Sequence, residues 1–176
     1  VTYWRSASKP FQLAPLVEDG GIERFGLDQE MLALACGSHN AESEHRVVGA
    51  RWLEAVGLSE DQLSCGGHPS LWPEQADRMI REGITPTPLW SNCSGKHAGL
   101  LALARLHEWP TDGYEALGHP VQDRVAQSIA RYAGVPVEQQ VWGVDGCTAA
   151  AVALPLVAMA RGYAALGAGE TPALAV

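Results

Sequence analysis

Five side chains able to do chemistry fall within six residues of the stretch Asn92-Cys93-Ser94-Gly95-Lys96-His97-Ala98-Gly99. Apolar residues at helical spacing follow at once (Leu100, Leu101, Leu103, Ala104), so the stretch reads as a turn entering a helix. Cys93 and Lys96 are three positions apart and share a face of the first helical turn. The free N–H groups of a helix start favour an anion or a thiolate beside them.

Other residues could join this chemistry. Ser6 and Lys9 form a Ser-x-x-Lys pair, in which one helical turn sets the amine beside the hydroxyl and a neutral lysine can take the serine proton. The amine must then be partly desolvated, and Pro10 confines the pair to the very first turn of a helix. Gly37-Ser38-His39-Asn40-Ala41-Glu42 offers an exposed serine at the end of a buried segment, or else a turn in which Ser38 or Asn40 caps a helix. Cys93, Lys96 and Cys147 could hold a metal through two thiolates and an amine that has lost its proton. Cys65-x-x-His68 is a competing ligand pair, and Cys36 and Cys147 also suit small core positions. Asp145-Gly146-Cys147-Thr148 follows an expected strand, where it carries function or lets Asp145 cap the next helix.

The elements that must position these residues follow from periodicity and stop signals. Met31 to Cys36 is a short buried run that delivers the Ser38 loop. Helices are expected from Glu42 to Val56 with Gly57 as the stop, from Pro73 to Glu82 before Gly83, and from Lys96 to Glu108. Ser59 and Gln62 form a capping box, and another helix runs from Pro120 to Gly134. Gln140 to Val144 reads as a strand, and the alanine-rich segment from Ala149 as a helix bent at Pro155.

A chain of 176 residues, 47% hydrophobic and 18% charged, builds one compact domain with a real core. The net charge of −8, without a basic stripe, argues against nucleic acid as a partner. No run approaches the roughly 18 apolar residues of a membrane span. Four dispersed cysteines and no basic-then-apolar leader give the expectation of free thiols in the cytoplasm. A start at Val1 reads as a piece of something longer or a trimmed product.

Taken together, five motifs occur in one order: Ser38-His39-Asn40-Ala41-Glu42, Cys65-Gly66-Gly67-His68-Pro69, Asn92 to Gly99, His119-Pro120-Val121-Gln122 and Asp145-Gly146-Cys147-Thr148. In this the chain resembles the asparaginase II family, the thermolabile, Rhizobium-type L-asparaginases, over nearly its whole length. The resemblance implies an α+β fold similar to the serine β-lactamase and glutaminase group, a helical part with an incomplete antiparallel sheet. It implies hydrolysis of L-asparagine to L-aspartate and ammonia. Ser6, Lys9 and Ser38 match the catalytic residues, and Arg5, His97 and Asp145 match polar residues lining the same pocket. Cys93, Lys96 and Cys147 match the ligands of a Zn2+ ion. Ser91 stands where a second asparagine is usual and Ala150 where a proline is usual. The family's second lysine lies beyond Val176, so the chain is expected to be a fragment of a longer asparaginase domain. Two alternatives stay open, a truncated zinc-binding domain without catalysis and a penicillin-recognising or glutaminase-type serine hydrolase. A homodimer is compatible with either.

Overall fold

A computed structural model describes residues 1–169. The element that organises it is the helix α6 (Ser94–Leu106), in which Ser94 through Ala104 are all buried. A first strand β1 (Thr2–Tyr3) leads through a single 3-10 turn into α1 (Lys9–Glu18). The short α2 (Gly21–Phe25) and α3 (Gln29–Cys36) follow, then α4 (Ser43–Val56), which packs with α1 and α3 around α6. The remaining helices are α5 (Pro73–Glu82), α7 (Pro120–Ala133) and α8 (Leu156–Ala168). Strands β2 (Val141–Val144) and β3 (Ala150–Leu154) complete a three-stranded antiparallel sheet in the order β1-β3-β2. The architecture is α+β.

Local chemistry explains most helix ends. Asp28 caps α3 by accepting from the Met31 N–H at 2.9 Å, and α4 opens with a reciprocal capping box between Glu42 and His45. Gly57, Gly83 and Gly134 close α4, α5 and α7 in the left-handed conformation that a side chain resists. Inside α1, Pro15 has no N–H to give to the Phe11 carbonyl one turn back. The Ser128 hydroxyl of α7 donates to that carbonyl at 3.1 Å, so the interruption in one helix becomes a docking point for another.

One expectation from the sequence fails here. The segment after Ala149 is strand β3 before it is a helix, and Pro155 does not bend a helix but precedes the first residue of α8. The apolar run Ala150–Leu154 is buried along its whole length, so it shows no alternation by which a strand could be told from a buried helix. Two ladders decide the matter: Trp142 pairs with Val152 on one side, and Tyr3 with Ala153 on the other. Asp145 accordingly caps no helix at Ala149; it sits in the β2–β3 turn and ion-pairs with Arg5.

Candidate active site

The Ser38 loop is built by the end of α3, and the Asn92 turn by the start of α6. The two meet because Gly95 lets the backbones touch. A Cβ on Gly95 would lie 2.5 Å from the Leu34 carbonyl oxygen. Lys9, the first residue of α1, runs into this junction and is 1% exposed. Its Nζ lies 2.7 Å from the Gly37 carbonyl oxygen, 3.0 Å from that of Asn92 and 2.9 Å from Ser38 Oγ. The spacing suggests Ser6 as the lysine's partner. Among the described residues no hydrogen bond joins the two, and the contact goes to Ser38 in their place. Burial lowers the Lys9 pKa, helped by Lys96 and opposed by Cys93.

Ser38 opens into a cavity of about 340 Å³ lined by Leu34, His39, Glu44 and His45 among others. His39 is buried between two partners. The Ala41 N–H lies 3.1 Å from its Nδ1, which must therefore accept, so Nε2–H donates to Ser94 Oγ at 2.9 Å. Burial first, then the neighbouring His45, Lys9 and His68, hold the His39 pKa down at about 4, so the ring is neutral.

A second cavity, of about 140 Å³, is lined by Arg5, Ser6, Cys65, His68, Ser91, Asn92, Cys93, Asp145, Gly146 and Cys147. Arg5 and Asp145 face each other across it at 2.9 Å. Arg5 and Thr148 both hold left-handed backbone, with φ of 58° and 74°, as does Ala41 at 57° beside the other cavity. Such strain on non-glycine residues is stored where the surrounding structure over-determines the backbone. His68 is fixed by the Asn92 N–H at 2.9 Å, and Cys65 donates to the Pro88 carbonyl. The rival pair Cys65 and His68 is thus engaged with backbone.

Deeper in, the Cys93 and Cys147 side chains interact, and Lys96 Nζ donates to the Cys147 sulfur at 2.9 Å. The Cys93 contact comes first in lowering the Cys147 pKa, with His97 and Lys96 adding to it against the cost of burial. Cys93 is raised in turn, by the same contact and by burial, so the two sulfurs titrate as a coupled pair. His97 is fully buried and lines neither cavity. Its Nδ1 meets the Tyr114 hydroxyl at 2.6 Å, with Ser64 Oγ farther off at 3.4 Å, its Nε2 is sealed from solvent, and the ring interacts with the Cys147 sulfur. Among the described residues no three His, Cys, Asp or Glu side chains cluster as a metal would need. The donors that do converge are two sulfurs and one amine.

The family model described as L-asparaginase II matches residues 1–175. The chain belongs to the L-asparaginase II family. No curated protein matches it. An amidohydrolase of this family acts on a small molecule, and the two cavities are of a size for one. No described helix is long and apolar enough to cross a membrane. What sequence reasoning missed in this L-asparaginase II chain is Tyr114, His39 and Ser64. Tyr114 lies in a turn-rich stretch without periodicity, and nothing in its neighbours signals that it reaches His97.

Proposed function

We propose that the chain hydrolyses L-asparagine to L-aspartate and ammonia, with Ser38 as nucleophile and Lys9 as its base. The observation that carries this is the surroundings of the Lys9 amine. Two of its neighbours, beside Ser38 Oγ and the Cys93 sulfur, are carbonyl oxygens, which can only accept. A neutral amine that gives both N–H bonds to Gly37 and Asn92 turns its lone pair to Ser38 Oγ, 2.9 Å away. Burial favours that neutral form.

Ser38 Oγ bonds to the side-chain amide carbon while its proton passes to Lys9 Nζ. The C–N bond then breaks, and Lys9 returns the proton to the departing nitrogen, which leaves as ammonia. Water adds to the resulting ester, its proton travels by way of Lys9 to Ser38 Oγ as the ester C–O bond breaks, and aspartate is released. Arg5 and Asp145 offer opposite charges to the polar end of the substrate. The donor set of Cys93, Lys96 and Cys147 fits zinc, since the two sulfurs interact, the Cys147 thiol is held toward its thiolate form and the amine is in contact with it. Zinc held there would supply a fixed positive charge beside the Arg5–Asp145 cavity. The reading includes a cytoplasmic location and a likeness to the serine β-lactamase and glutaminase architecture.

The test is ammonia release from asparagine by the full chain and by Ser38→Ala and Ser6→Ala. Loss in Ser38→Ala alone is expected. Retention there with loss in Ser6→Ala would make Ser6 the nucleophile and remove the proposed role of Lys9. A second reading, a zinc-holding domain without turnover, is favoured by one observation: the Ser38 cavity and the sulfur-lined cavity share no lining residue. Stoichiometric zinc in the purified protein together with no ammonia release would select it.

A further inference from the structure

The buried cluster behind Cys147 contains a residue that neither cavity uses. Tyr114 is 1% exposed, lies outside every motif that marks the family resemblance, and is held from two directions. The Ser64 backbone N–H donates to its hydroxyl oxygen at 3.0 Å, and Ser64 Oγ lies at the same distance. Ser64 is itself tied down, because the Thr148 hydroxyl donates to its carbonyl at 3.2 Å. That places Tyr114, Ser64 and the strained Thr148 in one connected unit.

Counting donors gives the direction of the next bond. A phenol has one proton and two lone pairs, and here the lone pairs receive Ser64. The proton is left for His97 Nδ1, 2.6 Å away. That separation marks a strong bond between phenol and imidazole. We propose that Tyr114 is a positioning residue: it donates to His97 Nδ1, fixes the ring proton on Nε2, and so turns an N–H toward the Cys147 sulfur. Burial supports the same direction, because Tyr114 sits in surroundings that keep its phenol protonated. The His97 ring interacts with the Cys147 sulfur, and its sealed Nε2 has no other hydrogen-bond partner. It is unsuited to bind a metal, since its lone pair is occupied by the proton.

The bond geometry carries this without the amidohydrolase reading; only the use of the sulfur pair in catalysis rests on that reading. The experiment is therefore spectroscopic and independent of turnover. Long-range proton–nitrogen correlation spectra of protein labelled with 15N-histidine report which ring nitrogen of each of the six histidines carries the proton. His97 is expected as the pure Nε2–H form in the parent protein and in Ser64→Ala, where the backbone donor to Tyr114 remains. Tyr114→Phe is expected to lose that single tautomer. An Nδ1–H signal for His97 in the parent protein overturns the proposal, and so does a Tyr114→Phe spectrum identical to the parent's. The parent spectrum decides the point even if the variant fails to fold.

Discussion

A buried amine that touches two carbonyls, one hydroxyl and a sulfur has little freedom, and this decides what Lys9 can do. Replacing it by methionine keeps the bulk of the chain and removes the base. If Lys9 serves Ser38, Lys9→Met lowers kcat for asparagine at least about 100-fold, the lower range for a positioned general base. Unchanged steady-state kinetics would remove Lys9 from the reaction. His39 makes a separate prediction through its pKa of about 4, against an ordinary value of 6.5. Between those values the unfolded chain binds a proton that the folded chain refuses, so this stability is complete above pH 6.5 and lost as pH falls toward 4. Denaturant midpoints at pH 7 and pH 5 should differ less in His39→Gln than in the parent; an equal drop in both would place the acid sensitivity elsewhere. At this scale the sequence named Lys9 and Ser38 but could not join them, because they lie 29 positions apart and meet only through tertiary packing.

Between elements, the α3–α6 crossing is the tightest constraint on the site. A methyl group on Gly95 would meet Leu34 backbone, which cannot swing aside as a side chain could. Gly95→Ala is expected to destabilise the fold by about 1–3 kcal/mol, the usual cost of forced overpacking, and to move Cys93 and Ser38 apart. Equilibrium denaturation gives the first effect; an unchanged midpoint would show that the crossing can relax. The helices that could be read in advance are those with punctuation. Pro73 and Gly83 bracket α5, Pro120 and Gly134 bracket α7, and Gly57 ends α4. β3 lacked such a signal: a buried, alanine-rich run suits helix and strand alike, and its identity comes from Tyr3 and Trp142 alongside it.

For the molecule as a whole, Arg124 ties the end of α1 to α7. Its guanidinium reaches Glu18 at 2.8 Å and both Asp19 oxygens at 2.7 and 3.1 Å, while His107 shares Asp19 Oδ2 and Tyr132 holds the far oxygen of Glu18. Burial raises the Asp19 pKa, but Arg124 and His107 more than offset it, and the net shift is downward. This contribution is present above the unfolded carboxylate range and is lost as pH falls through the lowered value. Arg124→Met leaves both carboxylates without their main partner and should cost about 1–3 kcal/mol at neutral pH, with a smaller difference from the parent in acid. A neutral-pH difference within error would mean that solvent replaces the arginine.

The pairing of Thr2 with Leu154 has a kinetic consequence. Closing so long a loop is entropically expensive and slow compared with contacts between sequence neighbours. A refolding chain can bring Lys9 to Ser38 through helices close in sequence, yet Arg5 cannot meet Asp145 until the outer strand has annealed to the middle one. The two cavities should therefore mature at different times, the serine side first and the sulfur side last.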